Sequence, residues 1–305
     1  NIPTAAYQTF EEYDEALEYV RNGSFPVVLK YDGLAAGKGV VIPETFEEAD
    51  AVLKDMLLDD RFGKGKVVVE EFLTGPEFSL LCFVNGTDVR PMLLSQDHKR
   101  AYEGDKGPNT GGMGAYSPLP FVTEEDMQYA MESIMKPVAA AMVEEGCTFK
   151  GVLYGGLMKT PSGIKVIEFN CRFGDPETEV ILPLLKTDIY DIFSAVADGF
   201  PMPEIEWEED ASMGFVMASK GYPGSYEKGF EICGLEEALS DPDVKIYHMG
   251  TASKDGKTVT SGGRVLMVVG SGDSLLAARD RALAAVEKIK CENLFFRRDI
   301  GWRVL

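Results

Sequence analysis

Glu168, Asn170 and Arg172 alternate along residues 166–179, which read VIEFNCRFGDPETE. Side chains of a strand point to its two faces in turn, so Glu168 and Asn170 are expected on the same face. A carboxylate and an amide oxygen held side by side suit a hard cation such as Mg²⁺, which takes oxygen ligands and few of them from protein. The alternative is an edge strand whose polar residues are solvated and which ends in an ordinary Gly-Asp-Pro-Glu turn.

The element that must position this pair is a strand. Ile167 and Phe169 favour β-structure and are expected to pack on the face opposite the polar pair. We predict a strand over residues 163–170, joined in a hairpin to a strand over residues 150–159.

A second candidate for chemistry is the glycine-rich stretch 30–42, KYDGLAAGKGVVI. Its glycines allow backbone N–H groups to turn towards a bound anion, and Lys30 and Lys38 add positive charge. The stretch is not a Walker loop, because three residues instead of four separate Gly33 from Gly37 and a strand is expected to follow. It predicts a glycine-rich hairpin over phosphates. The alternative is a mobile hairpin with solvated lysines.

Residues 93–120 form the least regular part of the chain. Charged side chains, including Asp97 and Lys106, concentrate there, and four glycines allow a ligand to approach the backbone closely. A loop of this length inside a compact domain is more often functional than not.

The surrounding elements are predicted from hydrophobic spacing. Helices are expected over residues 9–21, 45–60 and 123–145, with Thr9 and Thr123 as caps of the first and the third, and a kink is expected at Pro137 in the third. The pattern predicts α+β structure. A shift in composition near residue 200 predicts a domain boundary.

Composition excludes several functions. The chain has 305 residues and a net charge of −20, which argues against nucleic acid and against anionic membranes as partners. No apolar run approaches the roughly eighteen residues needed to span a bilayer. Five scattered cysteines predict free thiols in a reducing cytosol, and two histidines make a His-built metal site or a Ser-His-Asp triad improbable. We therefore expect a cytoplasmic protein whose chemistry rests on carboxylates, Lys, Arg, backbone amides and a metal.

Taken together, the motifs resemble the ATP-grasp family, and within it the glycinamide ribonucleotide synthetases. The resemblance spans nearly the whole chain in order and spacing. The segments that carry it are VVLKYDGLAAGKGV, VVVEEFLTGPEFS, SQDHKRAYEGDKGPNTGGMGAYSP, VLYGGLMKTPSGIKVIEFNCRFGDPETE, MASKGYPGSY and FFRRDIGWRVL.

The resemblance implies an ATP-grasp fold, in which two α+β lobes clasp ATP, followed by a small C-terminal α+β domain. The small lobe is expected over residues 1–72, the large lobe over 73–200 and the C-terminal domain over 201–305. Members of the family begin with a further domain of roughly one hundred residues. The present sequence opens without an initiator Met, so we expect a fragment, and one that acts as a monomer with that domain as its intramolecular partner.

The implied activity is ATP-dependent ligation of glycine to 5-phosphoribosylamine through a glycyl phosphate, with Mg²⁺ or Mn²⁺ as cofactor. Glu168 and Asn170 resemble the metal ligands, and Arg172, Lys106 and Asp97 the catalytic residues. The residues that resemble the ATP site are Lys30, Gly33, Gly37, Lys38, Gly39, Glu70, Glu71, Phe72, Leu73 and Glu77. The residues that resemble the glycine and ribosyl phosphate site are Asp97, Asn109, Thr110, Gly111, Gly112, Arg297 and Arg298.

Alternatives stay open at this point. Another ATP-grasp carboxylate–amine ligase or a carboxylase component would share the hinge, the phosphate loop and the Glu-x-Asn pair. An inactive ATP-binding fragment is the non-enzymatic reading. Arg297 and Arg298 could equally be a solvated pair near the chain end.

Overall fold

The computed structural model describes residues 2–33, 39–59 and 63–305. Gly37 and Lys38 lie outside the described residues. The chain divides into two units, one containing residues 3–76 and 158–167, the other residues 77–157 and 168–305.

The first unit contains a four-stranded antiparallel sheet in the order β1-β4-β2-β3, together with two helices. Apolar side chains from the sheet and both helices form one buried core, in which Ala16, Leu29, Ala49 and Leu53 are fully covered. The bounds are β1 Tyr7–Phe10, α1 Tyr13–Arg21, β2 Val27–Asp32, β3 Val40–Val41, α2 Phe46–Leu57 and β4 Lys66–Glu71.

The predicted starts of the first two helices had different outcomes. The start at Thr9 is wrong, because Thr9 lies in β1 opposite Val68 of β4, and α1 begins only at Tyr13. The start at Thr45 is confirmed: its hydroxyl accepts a hydrogen bond of 3.2 Å from the Glu48 amide. Helical spacing in residues 13–21 gives no sign that the preceding residues pair with a strand distant in the sequence.

The second unit contains a six-stranded sheet and most of a four-stranded sheet, since the end of β11 and the first part of β12 belong to residues 158–167 of the first unit. The larger has the path β14-β17-β13-β10-β7, with β18 beside β13, and the smaller has the order β12-β11-β5-β6. The strands are β5 Glu77–Asn85, β6 Asp88–Pro91, β7 Gln96–Asp97, β8 Arg100–Tyr102, β9 Lys106–Asn109, β10 Gly114–Ser117, β11 Lys150–Thr160, β12 Gly163–Asn170, β13 Ala211–Ser219, β14 Val244–His248, β15 Thr251–Lys254, β16 Lys257–Thr260, β17 Arg264–Gly272 and β18 Leu294–Phe295.

The helices of the second unit are short, apart from one interrupted long helix. That helix consists of α3, a π-helical segment at Met131–Met135 and α4. Thr123 caps α3 in a capping box with Asp126, as the sequence predicted for this residue. The irregularity precedes Pro137, which lies in the first turn of α4, where its missing N–H is tolerated. The helices are α3 Glu124–Ala130, α4 Lys136–Glu144, α5 Thr178–Ile181, α6 Ile189–Asp198, α7 Leu235–Ala238 and α8 Leu275–Val286.

The predicted hairpin of residues 150–159 and 163–170 is confirmed as β11 and β12. The division into three parts at residues 72 and 200 stays a prediction. One observation bears on the second boundary: β13, which follows it, pairs with β10, which precedes it. Within the described ranges, no helix combines the length and the apolar character that crossing a membrane requires.

Candidate active site

Glu168 and Asn170 lie side by side near the end of β12. The Asn170 side-chain amide donates a hydrogen bond of 3.0 Å to Oε1 of Glu168, and the Glu168 side chain is exposed. Gly156 on the neighbouring strand makes room for this carboxylate, since a Cβ there would lie 3.2 Å from Glu168 Cγ. The prediction that strand alternation brings the two oxygen-bearing side chains together is confirmed.

The two faces of β12 differ from the simple alternation expected. Ile164 and Val166 are buried on the face that carries Glu168 and Asn170 further along, while Ile167 and Phe169 are half-buried on the other. β12 is the edge of its sheet, as the alternative reading expected. Burial at the start of the strand fixes the backbone, while at its end the Glu168 side chain is exposed and Asn170 is half-buried.

The donor set fits a magnesium or manganese ion that shares its shell with substrate phosphates. Among the residues that the structure describes, no group of three or more His, Cys, Asp or Glu side chains could hold a metal by itself. Mg²⁺ ordinarily binds one or two protein carboxylates, several waters and the phosphates of a nucleotide. One carboxylate and one adjacent amide agree with that pattern.

Arg172 follows the pair at the start of the Gly-Asp-Pro-Glu turn. Its side chain is exposed, and one guanidinium nitrogen donates to the carbonyl of Phe173 at 2.9 Å. The local bond orients the cation without burying it. Its charge is therefore available to a ligand.

A buried cluster follows that the sequence did not reveal. Oε1 of Glu177, a residue only 3% exposed, accepts hydrogen bonds of 3.0 Å from Ser79 and from Tyr154. Burial, followed by the negative charge of Asp97, raises the pKa of Glu177 to about 6. Glu177 is not among the site residues predicted from the sequence, because its partners Ser79 and Tyr154 are 98 and 23 positions away along the chain. The one signal that the sequence offered is that this carboxylate follows closely after Glu168 and Asn170.

Lys99 connects two of the predicted carboxylates. Its ammonium lies 3.0 Å from Asp97 and 3.1 Å from Glu77. Desolvation would lower the pKa of Lys99, but the charges of Asp97 and Glu77 outweigh it and hold the pKa well above its ordinary value. Lys99 is therefore a permanent cation beside Asp97, whose side chain is 9% exposed. The sequence analysis did not single out Lys99 among the charged residues of this region.

The loop of residues 109–112 folds back on Lys99. The Lys99 carbonyl accepts from both the amide and the hydroxyl of Thr110, and the same hydroxyl accepts from the Gly112 amide. Gly112 has φ +114°, and a Cβ there would lie 2.4 Å from the ring of Pro176. The loop therefore packs closely on the turn that follows Arg172. Lys106 and Asn109, at the two ends of β9, are exposed.

The two arginines near the chain end have different environments. Arg297 is 1% exposed, and its guanidinium donates to Asp299, to Asp105 and to the carbonyl of Arg100. Arg298 is exposed, pairs with Glu287 at 3.1 Å and lies over the ring of Phe296. The reading of a solvated pair is wrong for Arg297, and contact of either arginine with ribosyl phosphate stays a prediction.

The described residues that were predicted to contact nucleotide lie in the first unit, apart from Glu77, which belongs to the second. Lys30 pairs with Glu70 at 2.8 Å and donates to the carbonyl of Ile167 at 3.0 Å. Glu71 pairs with Lys165 at 2.6 Å and accepts from the Ala6 amide.

The remaining members of this group differ in exposure. Phe72 and Gly33 are exposed, Leu73 is half-buried and Gly39 is buried. The structure thus brings the predicted phosphate lysine and the predicted hinge onto the neighbouring strands β2 and β4.

The fold is the ATP-grasp fold. A structure of biotin carboxylase from Campylobacter jejuni has a TM-score of 0.74 at 14% identity, covering 98% of this chain and 65% of that chain, a likeness that shows the fold alone. The family model "Phosphoribosylglycinamide synthetase, ATP-grasp (A) domain" matches residues 1–178, and the C-domain model of the same synthetase matches residues 212–303.

The chain belongs to the phosphoribosylglycinamide synthetase family. It is similar to the phosphoribosylamine–glycine ligase of Halalkalibacterium halodurans, with 50% identity over 100% of this chain and 71% of the relative. The ligase of Pseudomonas aeruginosa is 48% identical over 100% of this chain and 72% of its own length. The crystal structure of the Thermotoga maritima ligase has a TM-score of 0.90 at 36% identity, covering 98% of this chain and 75% of that one.

Proposed function

We propose that this chain catalyses the ATP-dependent ligation of glycine to 5-phosphoribosylamine, giving glycinamide ribonucleotide, ADP and phosphate, a step of purine biosynthesis. The observation that carries the proposal is the 50% identity, over the whole chain, to a phosphoribosylamine–glycine ligase. The site described above supplies side chains that suit this reaction.

The chemistry proceeds in two displacements. A carboxylate oxygen is a poor leaving group, so the glycine carboxylate first attacks the γ-phosphorus of ATP, forming glycyl phosphate and releasing ADP. The amine of phosphoribosylamine then attacks the glycyl carbonyl carbon, phosphate leaves, and the amine loses a proton. Both steps depend on positioning and on neutralising phosphate charge rather than on a covalent bond to protein.

Glu168 and Asn170 are the residues proposed to hold Mg²⁺ or Mn²⁺. When bound, the ion supplies positive charge at the phosphate oxygens. Their mutual hydrogen bond and the exposure of the Glu168 side chain support this assignment. Arg172, oriented by the Phe173 carbonyl, is proposed to neutralise charge that develops on the transferred phosphoryl group, with Lys106 in support.

The nucleotide and substrate contacts are assigned on the same basis. Lys30 is proposed to bind ATP phosphates, the backbone of residues 70–73 to meet adenine and Glu77 to bind ribose. Asp97, held beside the permanent cation of Lys99, and the loop of residues 109–112 are proposed to order glycine and the ribosyl phosphate. The fixed geometry of the loop on Lys99 and Pro176 supports a positioning role.

We also propose that the protein works as a monomer in the cytoplasm. The free state of Cys82, Cys147, Cys171, Cys233 and Cys291 agrees with a reducing compartment.

The test is an ADP-release assay with ATP, Mg²⁺, glycine and phosphoribosylamine. It is run on this chain and on a version joined to the N-terminal domain that the family resemblance implies. We expect ADP release that requires both substrates, and a product with the mass of glycinamide ribonucleotide. Replacing glycine by bicarbonate is the control for a carboxylase. Turnover with bicarbonate only, or no turnover in either version, would overturn the proposal.

A further inference from the structure

We propose that Arg264 and Tyr222 are positioning residues that hold the substrate loop of residues 109–112, an inference that rests on the proposed function. Both polar backbone groups of Gly111 are bound by side chains from the last third of the chain. The Gly111 amide donates to the Tyr222 hydroxyl at 3.0 Å, and the Gly111 carbonyl accepts from Arg264 at 2.9 Å. The loop is fixed by two residues more than a hundred positions away.

Arg264 also binds the turn that follows β12 in the chain. The same guanidinium nitrogen donates to the carbonyl of Asp175 at 2.9 Å and pairs with the Asp175 carboxylate at 2.8 Å. The Arg264 side chain is 19% exposed although it carries a charge. The Arg264 cation thus joins Gly111 to Asp175, in the turn that follows Arg172. A hydrogen bond to a charged donor is among the stronger kinds, so this link resists separation of the two segments.

The local structure directs Arg264 towards the loop. β17 begins at Arg264, and its pairing with β13 is irregular there: Met217 faces Leu266 but Ala218 faces Arg264, so one residue of β17 is extra. Such a bulge turns a strand locally and re-aims a side chain. A Cβ at Gly263 would lie 2.4 Å from the Tyr222 ring, so glycine at this position lets Tyr222 lie against the same strand start.

Loss of the Gly111 contacts is expected to affect the binding of glycine and phosphoribosylamine but not that of ATP. Arg264 and Tyr222 contact the loop proposed to order glycine and the ribosyl phosphate, and the turn next to Arg172. The residues proposed to bind the nucleotide base and Lys30 belong to the other unit of the chain. Loosening the Gly111 contacts should therefore weaken binding of glycine and phosphoribosylamine and leave the KM for ATP nearly unchanged.

The experiment compares Arg264→Gln, Arg264→Lys and Tyr222→Phe with a matched control. The control is Arg281→Gln, because Arg281 likewise pairs with a carboxylate, Asp243, and donates to a backbone carbonyl, that of Ser271 at 2.7 Å. Tyr222→Phe keeps the ring on Gly263 and removes only the acceptor of the Gly111 amide. It is the variant least liable to unfold.

Two readouts are taken on each variant. Hydrogen–deuterium exchange of peptides covering residues 109–113 should become roughly fivefold faster in Tyr222→Phe and Arg264→Gln. The KM values for glycine and phosphoribosylamine should rise about tenfold in Arg264→Gln and less in Arg264→Lys, against less than about twofold for ATP. Arg281→Gln should change neither readout.

The outcomes separate this inference from the proposed function. If the wild-type protein ligates but the variants keep both their exchange and their KM values, the inference is wrong and the function stands. Faster exchange without a change in KM also overturns it, because the contacts would then serve the fold alone. If the wild-type protein does not ligate, the proposed function fails, and unchanged exchange in the variants would show that the loop is not held as described.

Discussion

Tyr154 donates a 3.0 Å hydrogen bond to the carboxylate of Glu177, and both side chains are buried. Ser79 completes the group, at 2.9 Å from the Tyr154 hydroxyl and 3.0 Å from Glu177. The carboxylate therefore anchors the turn that follows β12 to strands β5 and β11, which carry Ser79 and Tyr154. It also places a titratable group in the interior, which has a consequence for stability.

Glu177→Gln should change how stability depends on pH. Burial and Asp97 raise the pKa of Glu177 from 4.5 to about 6. Stability from this group is therefore complete below pH 4.5 and is lost as the pH rises through 6, by about 2 kcal/mol in total. The variant does not ionise at this position. Its free energy of unfolding relative to wild type should therefore rise by about 1 kcal/mol from pH 5 to pH 8.

Urea unfolding at pH 5 and pH 8 measures this difference, since lower values approach the isoelectric point near 4.5. Glu132→Gln, which removes an exposed carboxylate, is the control. A constant difference between wild type and Glu177→Gln across the range would contradict the prediction.

Glu168→Gln should weaken metal-dependent nucleotide binding. The variant keeps the side-chain size and an oxygen beside Asn170 but loses the negative charge that a hard cation prefers. We expect the Mg²⁺ concentration at half-saturation to rise by more than about tenfold, measured by calorimetric titration with a non-hydrolysable ATP analogue. Glu132→Gln should leave it unchanged, and an unchanged value in Glu168→Gln would remove Glu168 from the metal site.

Gly112→Ala should damage the loop more than an equivalent change elsewhere. Both Gly112 and Gly146 have positive φ, +114° and +75°. A Cβ at Gly112 would lie 2.4 Å from Pro176, whereas at Gly146 it would meet no described atom within 4 Å. We expect Gly146→Ala to cost about 1 kcal/mol from backbone strain alone, and Gly112→Ala to cost roughly 2–4 kcal/mol.

Urea denaturation compares the two glycine variants, and the KM for glycine provides a second readout. Equal losses of stability in both variants would show that the contact between the loop and the Pro176 turn contributes nothing.

Arg297→Met should be far more destabilising than the same change at its neighbour. Arg297 is buried and pairs with two half-buried carboxylates, Asp105 and Asp299, so its removal takes away the cation they share and leaves Asp105 paired with Arg303. We expect a loss of about 3–5 kcal/mol. Arg298→Met, at an exposed ion pair with Glu287, should cost less than about 1 kcal/mol.

Thermal unfolding compares these variants, and Arg297→Lys with the KM for phosphoribosylamine provides the second measurement. A large rise in that KM without loss of stability would instead support direct contact of Arg297 with the ribosyl phosphate.

Local features of the fold were predictable because they depend on neighbouring residues. The cap at Thr123 and the helix start at Thr45 follow from the hydrophobic spacing of the residues after them. The pairing of Glu168 with Asn170 follows from the two-residue period of a strand. The helix start at Thr9 was predicted wrongly because a hydroxyl before a helical pattern resembles a cap. Thr9 lies instead in β1, which pairs with a strand some sixty residues later.

By itself, the sequence determined the α+β character of the protein, the strand that carries Glu168 and Asn170, the hairpin to which it belongs and the resemblance to the family. Only the tertiary structure decided that Glu177 is buried against Tyr154, that Arg297 is internal, and that Arg264 reaches Gly111 across 153 positions. The physical reason is that period and capping are properties of adjacent peptide units. Burial and long-range hydrogen bonds, in contrast, depend on which distant segments pack together, and no local pattern contains that information.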